Sequence, residues 1–166
     1  MRMSTKGRYA VNALIDLALR EPAGPVALAS IAQRQQISLS YLEQLFSALR
    51  RDGVVESTRG PGGGYTLGRP ADQINIGQVV RAVDDPMQEA PQETPDPSAA
   101  LWRRMQLVML DHMSTILLAE LVQEQIAQGA TPATPPPAPS ARRPATKRLR
   151  VMAPNSVFAL GRDFAA

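Results

Sequence analysis

Apolar residues recur at helical spacing along much of the chain, with turn residues between the runs. Tyr9, Ala10, Ala13, Leu14, Leu17 and Ala18 share one face and predict a first helix to about Leu19, capped by Ser4 or Thr5. Glu21-Pro22-Ala23-Gly24-Pro25 reads as a turn. Leu28, Ile31 and Ala32 mark a short second helix ending near Gln35, and Gln36-Ile37-Ser38 lead into a third. In that third helix Leu39, Leu42, Leu45, Phe46 and Leu49 form a stripe directed at a core. Gly53 ends it, where a residue free to take positive φ is wanted. Two helices joined by so few residues fit a helix-turn-helix.

The period then changes. Val54-Val55-Glu56-Ser57 is strand-like, Thr58 to Gly64 form a tight turn, and Tyr65-Thr66-Leu67 return as the partner strand. A helix followed at once by a β-hairpin with Arg59 at its tip is the outline of a winged helix-turn-helix. The helix would enter the major groove of double-stranded DNA and the hairpin the adjacent groove. Further on, Leu101 to Gln128 predicts the longest helix. Leu101, Met105, Val108, Met109, His112, Met113, Ile116, Leu117 and Leu121 make an apolar band broader than one small domain needs to cover. A methionine stripe also suits a hydrophobic ligand groove, but packing is its commoner use, and the band is assigned to dimerisation. His112 is expected to be packed or at the rim of that band. The fold class expected is mainly α with a small β-hairpin, a winged helix-turn-helix domain plus a long dimerisation helix. The layout is 1–83 for the DNA-binding domain, 84–100 for a flexible acidic, proline-rich loop, 101–128 for the dimerisation helix, and 129–166 for a disordered tail rich in Pro, Ala and Arg.

Charge sharpens this picture. The net charge is only +3, but residues 1–81 carry +4, residues 82–128 carry −6 and residues 129–166 carry +5. Phosphate would repel the middle and attract the first block and the tail. Lys6 and Arg8 lie in the first turn of the first helix, where the helix dipole disfavours cations. They are either solvated charges or phosphate contacts helped by backbone N–H groups. In the tail, Arg142, Arg143, Lys147, Arg148 and Arg150 either solubilise the chain or add nonspecific attraction to DNA.

On the third helix, Ser40 and Glu43 have capping-box spacing, and Glu43 is alternatively aimed at base edges. Tyr41 and Gln44 lie off the leucine stripe and are the better readers. Gln pairs with adenine through two bonds, and Tyr contacts phosphate or a thymine methyl. Arg59-Gly60-Pro61-Gly62-Gly63-Gly64 lacks the Gly-Lys-Ser/Thr ending of a phosphate-binding loop and opens no helix. A wing tip fits better, with Arg59 entering a narrow minor groove and the glycines letting backbone approach DNA.

Several classes are excluded. There is no cysteine, hence no disulfide and no thiolate-held cluster. No signal-peptide pattern or long apolar run is present, so the expected location is cytoplasmic with no membrane partner. No nucleophile–base or metal-ligand constellation supports an enzyme.

Three stretches carry a family resemblance: MRMSTKGRYAVNALIDLAL, SLSYLEQLFSALRRDGVVESTRGPGGGYTLGRPADQINIGQVVRAVD and ALWRRM. They resemble the IscR-like regulators, bacterial winged-helix transcription factors linked to iron–sulfur cluster assembly. The resemblance spans roughly Met1 to Gln125, with SLSYLEQLFS and RGPGGGY its most specific pieces. It implies a DNA-binding homodimer, a repressor of iron–sulfur assembly or related stress genes. It also implies groove contacts or discrimination from Ser38, Ser40, Tyr41, Glu43 and Gln44, with a wing contact from Arg59 and the backbone of Gly60, Pro61, Gly62, Gly63 and Gly64. Cluster-binding members place three cysteines and a histidine between the Ala-Val-Asp helix end and Ala-Leu-Trp. Here that interval is DPMQEAPQETPDPSA, and Ala99 stands at the histidine position. The family's [2Fe–2S] site is therefore expected to be absent, with no cofactor in its place. Two other readings stay open: a small-effector-responsive regulator of another pathway, and an RNA-binding or interaction module.

Overall fold

The structure, a computed structural model, describes residues 5–60, 62–84 and 98–135. The acidic loop from 85 to 97 and the tail from 136 onward lie outside the described residues, as do Ser4 and Pro61. The elements are α1 (Thr5–Arg20), α2 (Leu28–Gln35), α3 (Leu39–Arg51), β1 (Val55–Thr58), β2 (Gly64–Leu67), α4 (Ile76–Val83), α5 (Ala99–Thr115) and α6 (Leu118–Ala127). Short 3₁₀ turns at Glu21–Ala23 and Ala71–Gln73 lead out of α1 and towards α4. The fold is mainly helical with one two-stranded antiparallel hairpin, a winged helix-turn-helix followed by two further helices.

α1 packs against α2, α3, α4, α6 and β2. Its Ala10, Ala13, Leu14 and Leu17 repeat at three- and four-residue steps and are fully buried. Small residues at two of these positions let neighbouring helices close in. α3 answers with Leu42, Leu45, Phe46 and Leu49 at the same spacing, all buried. Leu39, expected in that stripe, is 41% exposed because it opens the first turn, before the helix reaches the core.

The link between α2 and α3 is held at both ends. Gln36 takes a left-handed conformation (φ 53°) and closes α2, and the Ile37 N–H donates to the Ala32 carbonyl at 3.1 Å. Ser38 then caps α3, its hydroxyl accepting from the Tyr41 N–H at 3.3 Å. The expected Ser40–Glu43 capping box is thus not used: the cap falls two residues earlier, at Ser38, so Ser40 lies inside the first turn. From α1, the buried Asp16 accepts from Arg34 of α2 in a forked pair at 2.6–3.0 Å, with Arg20 at 3.8 Å. That pair fixes α2 against α1.

The single helix predicted over 101–128 is two helices. Ile116 and Leu117 are extended, with ψ of 127° and 147°. Their backbone pairs with the segment before α4: Ile76 N–H donates to Ile116 C=O at 2.9 Å, and Leu118 N–H to Ile74 C=O at 2.8 Å. The apolar band is correspondingly divided. Met113, Ile116 and Leu121 pack on the chain's own core, and Leu117 is half-buried and bridged to Asn75, so these four do not belong to an exposed face. Leu101, Met105 and Val108 are exposed, and Met109 is half-buried. His112 is exposed, outside the packed part of the band. α5 is rooted on α4, where Gly77 admits it closely: a Cβ there would collide with the Ser114 hydroxyl.

Candidate nucleic-acid interface

α3 offers one face to the core and leaves the other free. Ser40, Glu43, Gln44, Ser47 and Arg50 are exposed, spaced so that several side chains project together. Ser38 is exposed but already engaged as the cap. Tyr41 is half-buried, its ring set edge-on to Tyr9 with centroids 6.0 Å apart. Burial, then the neighbouring Tyr9 and Asp84, push the Tyr41 hydroxyl above its ordinary value of 10.0, so it remains a neutral O–H donor.

The start of α1, the middle of α3 and the end of α4 meet around a half-open hollow of about 180 Å³. Lys6, Tyr41, Gln44 and Arg51 supply its polar lining, with Ala82 and Val83 as part of its wall. Lys6 has an interaction within the fold, so it is not a loose surface cation. Arg8 is exposed, its guanidinium 5.5 Å from the Tyr9 ring centre. Sequence reasoning brought Lys6, Tyr41 and Gln44 to this region and missed Arg51, although it stands seven residues after Gln44 on the same side of the helix.

The hairpin runs in register Val55–Leu67 to Thr58–Gly64, with Arg59 exposed beyond it. The glycines of the turn divide by task. Gly60 and Gly62 take φ of 111° and 77° with nothing near their Cβ positions. Gly63 and Gly64 are small for a different reason. A Cβ on Gly63 would strike the Thr58 carbonyl, and one on Gly64 would lie 2.5 Å from the Val26 backbone. Val26 adds a bridge to the hairpin through Tyr65, with hydrogen bonds of 2.9 and 2.8 Å. Close backbone approach, read from the sequence as an approach to DNA, is at Gly64 an approach of the chain to itself.

The wing is tied to α3 by the buried Phe46, edge-on to Tyr65 at 5.1 Å. It is tied to the end of α1 by Glu21, whose carboxylate accepts from the Leu67 N–H at 2.8 Å. Burial raises the Glu21 pKa above 4.5, and the Leu67 hydrogen bond only partly opposes this.

The donor set does not fit the family's cluster. Ala99, at the histidine position, opens α5 with a methyl group, and the sequence supplies no cysteine. His112 stands thirteen residues further along the same helix, roughly 20 Å away at 1.5 Å per residue. Among the described residues no group of three or more His, Cys, Asp or Glu side chains converges. A cysteine-ligated cluster cannot be built from this chain. Also among the described residues, no helix is long and apolar enough to cross a membrane.

Comparison with known proteins gives a consistent result. Residues 3–124 match the family model Rrf2, described as an iron-dependent transcriptional regulator. The HTH-type transcriptional regulator IscR of Erwinia tasmaniensis is 48% identical over 133 residues, covering 75% of this chain and 81% of that protein. Among solved structures, T. potens IscR superposes with a TM-score of 0.63 at 36% identity, covering 79% of this chain and 93% of that one. CymR, the global cysteine regulator of B. subtilis, gives 0.61 at 36% identity, covering 75% of this chain and 98% of that one.

Proposed function

We propose, from the premise that this chain belongs to the Rrf2 family of transcriptional regulators, that it binds specific sites on double-stranded DNA as a homodimer and represses transcription from them. Membership makes it a transcriptional regulator and not an enzyme, and the lack of cysteine makes it independent of a cysteine-ligated cluster. The observation that carries the DNA reading is the pairing of two exposed features on one rigid core. The free face of α3 carries Ser40, Glu43 and Gln44, and the wing tip carries Arg59.

In this reading Gln44 and Glu43 face base edges, and Tyr41, Lys6 and Arg8 approach phosphates from the start of α1 and α3. Ser38 and Ser40 stand where α3 would enter the groove. Arg59 reaches the minor groove, presented by the backbone of the 60–64 turn. The second copy covers the first turns of α5, where Leu101, Trp102, Met105, Leu107 and Val108 are 44–70% exposed. Such a patch on a helix standing off its own core supports an interface between copies. The protein works in the cytoplasm, where its promoters are. The relatives named IscR support iron–sulfur assembly or related stress genes as its targets.

Electrophoretic shift titrations of full-length protein across promoter fragments of its own genome test this. Gln44→Ala and Arg59→Ala should each weaken the specific complex by about 1–3 kcal/mol, with less effect on random duplex. Parent-like affinity for both variants on every fragment would overturn the contact assignment. The hollow lined by Lys6, Tyr41, Gln44 and Arg51 favours a second reading, a regulator whose DNA affinity answers to a small anion. A shift series repeated with added anionic metabolites separates the two, since only the second predicts a change.

A further inference from the structure

Large apolar side chains stand exposed at two places among the described residues. Five of them, on the first turns of α5, form the patch assigned above to a second copy. The other is Leu39, 41% exposed. Ile37 and Tyr41, two residues away on either side, are half-buried and pack against the core. The backbone is also pinned there. The Ser38 hydroxyl accepts from the Tyr41 N–H at 3.3 Å, and the Ser38 carbonyl from the Leu42 N–H at 3.1 Å. Leu39 is thus the first residue of a capped turn, held in place with its side chain in solvent.

Its place on the helix decides what it can meet. Helical side chains lean towards the N-terminus, so Leu39 projects ahead of the first turn of α3. It stands next to Ser40 and one turn before Glu43, with about 6 Å between the Leu39 and Glu43 Cβ atoms. All three residues are exposed. A lone exposed leucine on an arbitrary surface needs no explanation. This one belongs to the end of α3 whose residues, in a helix lying in the major groove, reach base edges. Among the donors and acceptors of that groove there is one apolar group, the C5-methyl of thymine. Leucine carries no donor or acceptor in its side chain, so the methyl is the feature it can read.

We infer that Leu39 is a specificity-determining residue that packs on a thymine methyl at one position of each operator half-site. The inference deepens the duplex-binding reading above and rests on it. The contact takes leucine and thymine methyls out of water together, a gain available only where thymine is present. Uracil keeps every hydrogen-bonding group of thymine and lacks the methyl, so exchanging the two isolates the contact.

The test replaces each thymine of an operator duplex in turn by deoxyuridine. Binding is read by fluorescence anisotropy with full-length parent, Leu39→Ala and Leu39→Met. Parent affinity should fall about fourfold at one position of a half-site, the effect of one buried methyl. Exchanging the symmetric pair together should lower it about fifteenfold. Leu39→Ala should bind the thymine operator at least as weakly as the parent binds the doubly exchanged one, and should be indifferent to the exchange at that position. Leu39→Met keeps an apolar tip and should remain sensitive. Gln44→Ala is the contrast: it weakens the operator complex and keeps the sensitivity. A Leu39→Ala protein as sensitive as the parent would overturn the inference, as would a parent indifferent to deoxyuridine at every thymine. Either result would leave readout by the polar side chains of α3 intact. A parent that binds no duplex specifically would overturn the duplex-binding reading and this inference with it.

Discussion

Gly64→Ala isolates a claim about the wing that composition alone misassigns. The φ of Gly64 is outside the left-handed range, so backbone conformation does not require glycine there. On conformation alone, alanine would stabilise by about 0.4–1 kcal/mol, because it restricts the unfolded chain. Space argues the other way. The new Cβ would sit 2.5 Å from the carbonyl carbon and oxygen of Val26 and 2.9 Å from its nitrogen. These are backbone atoms that cannot rotate aside as a side chain can. Relief requires Val26 and Tyr65 to part, at the expense of their two hydrogen bonds of 2.9 and 2.8 Å, worth about 1–3 kcal/mol together. The steric effect wins, and a net loss of about 1–2 kcal/mol is expected, near 5 °C in melting temperature. Amide exchange locates it: the Val26 and Tyr65 N–H groups should lose protection. Gly62→Ala is the contrast, since its Cβ meets nothing and it should destabilise by about 1 kcal/mol through φ 77° alone, with the bridge still protected. A Gly64→Ala protein that melts at or above the parent, with both amides protected, would refute the reasoning.

Asp16→Ala should cost about 2 kcal/mol in a denaturant titration, because it leaves the Arg34 guanidinium half-desolvated and unhooks α2 from α1. Glu21→Gln keeps an acceptor for the Leu67 N–H and removes a carboxylate that burial disfavours. A raised folded-state pKa means that the parent's Glu21 favours folding most below pH 4.5, and that this advantage is lost as pH rises through the raised value. The variant should therefore match the parent in thermal melts near pH 4 and exceed it at pH 7, by at most ~0.5 kcal/mol after solvent screening. Val108→Glu puts a charge in the middle of the exposed patch of α5, which should convert a dimer to monomer in analytical ultracentrifugation and weaken a two-half-site operator roughly a hundredfold. A monomeric parent would contradict the assignment of that patch.

Local pattern accounts for most of what was legible in the sequence, and non-local pairing for most of what was not. The α3 stripe, its end near Gly53 and the presence of a hairpin depend on residues close in the chain, and local pattern shows them; the strands extend into the expected turn at Thr58 and Gly64. The cap of α3 was misplaced because Ser38 and Ser40 both offer a hydroxyl at the helix start, and the Glu43 spacing favoured the wrong one. The break at Ile116–Leu117 has no glycine or proline to announce it, and the apolar band runs straight through. Its cause is the segment Ile74–Ile76, some forty residues earlier, whose backbone groups take the hydrogen bonds that a continuous helix would have made. Of the candidate site, the α3 residues and Arg59 could be named from sequence. The role of Gly64, the half-buried Glu21 and the convergence of Lys6 with Arg51 could not, because each depends on which strands and helices become neighbours.

If the proposed dimer forms on DNA, these neighbours offer a route by which α3 and α5 are coupled. Tyr65 meets Phe46 of α3 on one side and pairs with Val26 on the other, while Glu21 at the end of α1 holds Leu67. The wing therefore cannot shift without disturbing a buried residue of α3. α5 in turn is rooted through Gly77 on α4, and α4 packs on both α1 and α3. A contact between the first turns of α5 in two copies would be transmitted through packed helices to the separation of their α3 faces. Half-site spacing would then be a rigid consequence of how two α5 helices cross. Any input that alters that crossing would alter operator affinity, and thiolate chemistry at the base of α5 is not needed for it.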